Sequence, residues 1–415
     1  MIWNLILLLV MTVSTAVFAA FPILGISVLV FMSTIEVGRI PAFGADVPLP
    51  AAVLIVFLCS ALLRLMLSRQ IHREWLAALV FLLVTFLFSG LICIHPLAAL
   101  KEIGTWLGYA AAAYFIGLYW PQPNSNPYVT FPFRASVLAA LALALIQVWL
   151  STRDSPVPVQ AGFTESGYFV VFLSWMTPFV LLAFHKAQTS REEGFWTGVF
   201  LSILWISWMT GPGREALLLL FTVLLCGIAR LMNREMLLWL APLAAVGLLH
   251  GLQGHDFGMW KSIQPWLPDQ GPSNFAESGL SALGIWSTHP FLGTGPGQYE
   301  SYVRWAYPET AGSIGIPGST LLLILAESGI LGVLAFSWIL GLLFAGWYDA
   351  RCVPHLSSDE KRFMRAAIVS LVMLAASSMI YNIHTHYFSW CFIGILFGCF
   401  RDQGVMDQNK SWKRP

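Results

Sequence analysis

From Leu76 to Cys93 no side chain is charged, and from Leu321 to Phe344 only Glu327 is. Runs of this length constrain the fold more than any other feature. About 20 apolar residues make a helix that crosses the ~30 Å hydrocarbon core of a bilayer. In lipid every backbone polar group needs a partner within the protein, which leaves helices and closed barrels. A barrel strand would alternate apolar and polar residues over ~10 positions, and these runs are continuous. They read as helices.

Composition agrees. Of 415 residues, 57% are hydrophobic and 10% charged, whereas soluble domains carry about 25% charge. That balance excludes a water-soluble globule, a disordered chain, a coiled coil and a nucleic-acid-binding surface. A net charge of +1 gives no reason to expect an acidic partner.

Apolar runs recur at 51–68, 75–94, 104–120, 135–151, 168–185, 196–210, 215–229, 237–251, 321–347, 364–383 and 387–400. The opening stretch, Met1 to Thr34, reads as one or two further helices interrupted near Pro22, and it lacks the charged leader of a signal peptide. The expected fold class is therefore all-α, a polytopic transmembrane bundle of about 12 spans. Residues 1–250 would hold the N-terminal spans, 251–320 a large loop with short helices, and 321–415 the C-terminal spans and tail.

Basic residues set the orientation. Alternate loops holding Arg64, Arg69, Arg73, Arg134, Lys186, Arg191, Arg230, Arg234, Arg351, Lys361, Arg362 and Arg365, with the tail, collect 16 of the 22 Lys and Arg. The other face keeps Arg39, Lys101, Arg153, Arg214, Lys261 and Arg304. The first set is expected in the cytoplasm and the long loop outside, with Trp260, Trp266, Trp286 and Trp305 at headgroup depth. The six cysteines lack metal-ligand spacing and read as small buried hydrophobes.

Few groups could carry chemistry. Gly211-Pro212-Gly213 breaks two apolar runs and sets Arg214 at the outer end of a helix. There its guanidinium offers a fork of donors suited to phosphate oxygens, or it simply snorkels to headgroups. Gly293, Gly295 and Gly297 alternate in the long loop. They permit positive φ and close approach to a ligand, or form a plain multiple turn. His289, just before Pro290, is either a general base or a solvated histidine. Glu327 is either a buried acid facing a cavity or an interfacial carboxylate. His384 and His386 lie between the last two spans, and as i and i+2 they diverge, which favours an interfacial pair over a shared metal. Glu165 and Arg153 are weaker candidates of the same kind.

The order of these features resembles the O-antigen ligase and Wzy-type polymerase superfamily of bacterial envelope glycosyltransferases. Gln160 to Tyr168 resembles the Gly-Thr-Phe-x-Asn-Pro-Asn stretch of that family, and Gly213-Arg214-Glu215-Ala216-Leu217 its Ser-Arg-Gly-Ala block. Thr288-His289-Pro290-Phe291-Leu292-Gly293-Thr294-Gly295-Pro296-Gly297 is similar to its outer-loop signature, and Leu325-Ala326-Glu327-Ser328-Gly329-Ile330-Leu331-Gly332 to its entry to the next span. Where the family carries His-Asn ahead of that Glu, this chain has Gly318-Ser319; where it carries a loop arginine, Asn274, Phe275 and Ala276 stand nearby.

The resemblance implies an inner-membrane enzyme that passes a glycan from a polyprenyl pyrophosphate carrier to lipid A–core, or to another glycan, without cofactor or metal. It implies pyrophosphate binding by Arg214, with Arg304 or Lys261 as second cation, and a base drawn from His289, Glu327, His384 or His386. A transporter of lipid-linked solutes is the rival class. It would place several charges at the midplane of its spans, and few are seen.

Overall fold

A computed structural model describes residues 2–33, 39–42, 45–68, 72–120, 131–151, 163, 166–209, 214–232, 274–306, 317–352 and 357–401. The expected span at 237–251 and the tail beyond 401 lie outside them. The structure is all-helical apart from a two-stranded antiparallel hairpin, Arg39–Ala42 with Ala45–Pro48, that pattern reading missed.

The chain opens with α1 (Ile2–Ala20) and α2 (Pro22–Met32), divided at Phe21, where Pro22 takes the first helical position. Proline suits that place because its missing N–H has no partner there to lose. After the hairpin come α3 (Leu49–Ser68), α4 (Arg73–Gly90), α5 (Pro96–Tyr119), α6 (Phe131–Ser151), α7 (Ser166–His185), α8 (Ser190–Met209) and α9 (Arg214–Ile228). Then follow α10 (Asn274–Thr288), the short α11 (Tyr299–Ala306), α12 (Thr320–Arg351) and α13 (Ser358–Ile380). A 3-10 turn at Ile383–Thr385 leads into α14 (Tyr387–Arg401). The α13 start carries a reciprocal capping box, Ser357 with Glu360.

Among the described residues five helices are long and apolar enough to cross a membrane: Leu49–Met66, Arg73–Gly90, Tyr168–His185, Thr320–Arg351 and Ser358–Ile380. Shorter apolar helices accompany them, Leu7–Ala20, Pro22–Met32, Arg134–Gln147, Leu218–Ile228 and Tyr387–Phe400.

Between such helices water offers no hydrophobic drive, so packing rests on close approach of small residues. The α5–α14 contact shows this. A Cβ on Gly394 would meet the Ala113 carbonyl oxygen at 2.6 Å, and one on Gly398 the Gly117 oxygen at 3.0 Å. Around this pair α4 packs on α5 and α12, and α7 on α13, α9 and α8. Leucines on the outward faces of α3 and α4, such as Leu62, Leu63 and Leu87, stay exposed. An apolar exterior is what lipid contact requires.

Candidate functional site

Residues 298–324 separate the two most specific motif blocks, and the fold joins them. Helix α12 breaks at Gly329, whose φ of 64° and ψ of −163° are non-helical. The break frees backbone groups on both sides, and a buried polar group without a partner is costly. The glycine loop supplies the partners. Thr294 N–H donates to the Ala326 carbonyl (3.0 Å) and Gly295 N–H to that of Glu327 (2.8 Å). In return Ile330 N–H donates to the Pro290 carbonyl at 2.9 Å.

The glycines are needed because the two backbones touch. Gly293, Gly295 and Gly297 have φ of 64°, 106° and 69°. A Cβ on Gly293 would run into the Glu327 carbonyl, and one on Gly329 into that of Phe291. The positive φ expected of the loop is present. The close approach of Gly293 is to α12, and those of Gly295 and Gly297 are to Cys93 and Glu102.

The turn between α4 and α5 completes the unit. The Ser89 hydroxyl lies 2.5 Å from the Leu292 carbonyl oxygen and 2.7 Å from that of Glu327. The Gln298 amide pairs with the backbone of His95, accepting from its N–H (3.1 Å) and donating to its carbonyl (3.2 Å). Gly295 packs on Cys93 and Gly297 on Glu102. Ser89, Gln298 and Glu102 escaped the sequence reading. Their signal is only that this turn falls on the same side as the loop when spans are counted.

Of the two readings made of Glu327, the buried acid is the one the structure matches. It is buried, and its carboxylate accepts the Tyr299 N–H at 3.2 Å and the Gly297 N–H. It therefore holds the start of α11 against α12, where it ties down the loop. His289 is exposed, edge-on to the Tyr302 ring at 5.7 Å. Arg304 is also exposed, 3.7 Å from Glu300 one turn earlier. Arg214 is the first residue of α9, and Gly211-Pro212-Gly213 lie outside the described residues. The Arg214 side chain, with Lys261, Glu165, Arg153, Trp260 and Trp266, lies outside the described residues. Trp305 is exposed and Trp286 partly so.

The two late histidines are not interfacial. His384 and His386 are buried in separate aromatic settings. His384 stacks on Trp106 at 4.7 Å, and His386 tilts against Tyr168 at 3.7 Å. They diverge, as i and i+2 must, but into protein. Their turn is pinned to the head of α12. Thr320 Oγ1 donates to the Tyr381 carbonyl (2.8 Å) and accepts the Ile383 N–H (2.9 Å), while Ser319 caps the helix. All six cysteines are free, but Cys59 and Cys352 are exposed, contrary to the buried role expected of them.

Burial, with a smaller contribution from His386, lowers the His384 pKa to about 3. The folded protein keeps this ring neutral, whereas the unfolded chain takes up a proton near 6.5. Nothing is lost above pH 6.5. Below it His384 costs stability, about 1.4 kcal/mol per pH unit, until its folded pKa is reached. A His384→Phe variant keeps the stack on Trp106 and removes the titration. Thermal unfolding between pH 7.5 and 4.5 should show a smaller acid loss in the variant, and equal losses would refute the assignment.

Together the fold and the docked loop define an all-helical membrane protein whose loop is built into the broken head of a long helix. Compared with known proteins, the chain matches no family model and no curated sequence. Among the described residues no three His, Cys, Asp or Glu side chains are grouped to hold a metal ion.

Proposed function

We propose that this protein is an O-antigen ligase-like glycosyltransferase of the bacterial inner membrane, with about 12 spans and residues 251–319 on the periplasmic face. Its donor would be a glycan on polyprenyl pyrophosphate, and its acceptor lipid A–core or another surface glycan. One observation carries the reading. The two motif blocks that resemble the superfamily form the two halves of one contact, with glycines where the backbones meet. A chance likeness has no reason to fall on both sides of the same junction.

In this reading the anomeric carbon–oxygen bond to pyrophosphate breaks as a bond to the acceptor hydroxyl oxygen forms. The hydroxyl proton passes to a base, and polyprenyl pyrophosphate leaves. Arg214 stabilises charge growing on the leaving group, and Arg304 or Lys261 serves as second cation. Arg304 would first have to part from Glu300. His289 is the better base, since its imidazole is exposed beside the glycine loop. Glu327 already holds two amides. Reaction by this route calls for no cofactor.

Reconstituted vesicles carrying donor and acceptor test the reading. Release of polyprenyl pyrophosphate with glycan on lipid A–core supports it. Glycan on a second carrier-linked unit instead assigns a polymerase of the same superfamily, and movement of intact donor without release assigns a transporter. In that assay His289→Ala should slow transfer by about a hundredfold, the low end for a lost general base. His384→Ala and His386→Ala should lose less, with Glu327→Gln second in severity through a loosened loop. Full activity in both His289→Ala and Glu327→Gln would remove both residues as base.

A further inference from the structure

The turn joining α4 to α5 has the wrong surface for water. Connections between membrane helices that face solvent are polar, yet residues 91–100 read Leu-Ile-Cys-Ile-His-Pro-Leu-Ala-Ala-Leu. Their large apolar side chains point outward: Leu97 is 83% exposed, Leu91 79%, and Ile92, Ile94 and Leu100 half or more. Phe291, from the glycine loop docked beside them, is 69% exposed. Monomeric soluble surfaces rarely carry so many large apolar groups side by side.

The patch does not stand alone. It continues the outward face of α4, where Leu87 and Phe88 are exposed on a helix long and apolar enough to cross a membrane. The surface that meets lipid along that helix therefore runs past its end and around the loop. Lys101 is exposed at the same rim, and its long apolar stem lets an amine reach the headgroups from below them. Behind the rim lie contacts already described, the Gln298 amide hydrogen-bonded to His95 and Gly297 packed on the Glu102 side chain.

We propose that the rim formed by Leu91, Ile92, Ile94, Leu97, Leu100 and Phe291 is immersed in the hydrocarbon layer of the bilayer, so that lipid chains reach the glycine loop sideways. The occupant is the chain region of lipid, because the six rim side chains are all apolar and share their surface with a helix long and apolar enough to span a membrane. Immersion keeps so many large apolar groups out of water, and withdrawal would be strongly unfavourable. For a transferase acting on a polyprenyl carrier, this is the side from which the donor's chain would slide in. The inference rests on the membrane reading of the helices and is independent of the transfer reaction.

Spin labels at Leu91→Cys and Leu97→Cys test it in the full chain reconstituted in phosphatidylethanolamine–phosphatidylglycerol vesicles, with Cys59, Cys93 and Cys352 replaced by alanine. Leu63→Cys on α3 gives the lipid reference and Glu193→Cys, exposed at the start of α8, the water reference. Both rim labels should collide with oxygen more than with a water-soluble nickel chelate, as at Leu63. Nickel access matching Glu193 would overturn the proposal. So would shielding from both probes, the sign of a covering protein segment. Neither result depends on whether glycan transfer is observed.

Discussion

Gly329→Ala should leave little folded protein. At φ 64° and ψ −163° the residue occupies a region open essentially to glycine alone, which costs a substituted side chain about 1–3 kcal/mol. The new Cβ would also run into the backbone of Phe291 and Leu292. Backbone cannot yield as a flexible side chain tip does, so the loop has to lift off α12. Lifting it strands the Ala326 carbonyl and the Ile330 N–H, whose backbone partners lie in the loop, and leaves the Glu327 carbonyl with Ser89 alone. Each unmet buried group adds about 1–3 kcal/mol. Gly293→Ala strikes the same junction from the other side and should behave alike. Gly341→Ala is the control: it lies in the same helix with nothing within 4 Å of its added Cβ. There alanine should be neutral or slightly stabilising. The yield of monodisperse protein in detergent and the unfolding temperature measure all three. A Gly329→Ala protein as stable as Gly341→Ala would show that the loop does not dock on α12.

Much of this was open to reading in the sequence, for a physical reason. Helices that must satisfy their backbone in lipid write themselves as long apolar runs, so α3, α4, α7, α12 and α13 lie within a few residues of the expected positions. Phe21-Pro22 marked a break for a similarly local reason, proline chemistry. The three alternating glycines announced positive φ.

What they faced could not be read. Whether a glycine makes room for a ligand or for another stretch of the same chain depends on a partner distant in sequence. Glu327 illustrates the loss: a lone acid in an apolar run suggests chemistry, but its carboxylate is taken by the Gly297 and Tyr299 amides. His384 and His386 were misplaced similarly. Histidines between two spans look interfacial until Trp106 and Tyr168, from α5 and α7, close over them. Tertiary packing, absent from any local pattern, decided each case.

Arg214→Ala should abolish transfer and leave the fold intact, and the two halves of that expectation have separate causes. Helix α9 begins at Arg214, and the N-terminal end of a helix carries partial positive charge. A cation there gains nothing from the helix, so removing it should not unwind α9, which packs on α7 and α13. Transfer is different. In the proposed reaction, charge gathers on phosphate oxygens as the bond to pyrophosphate lengthens. A guanidinium can bond two of those oxygens at once. Losing such a contact costs about 3 kcal/mol of transition-state stabilisation, roughly a hundredfold in rate. Arg214→Lys keeps the charge and loses the fork, so its rate should fall between parent and alanine. Arg304→Ala should matter less, because that side chain is exposed and already faces Glu300. Rates of polyprenyl pyrophosphate release, normalised to monodisperse protein, give the ranking. Parental turnover by Arg214→Ala would return Arg214 to the role of a headgroup anchor and place the leaving-group cation elsewhere on the outer face.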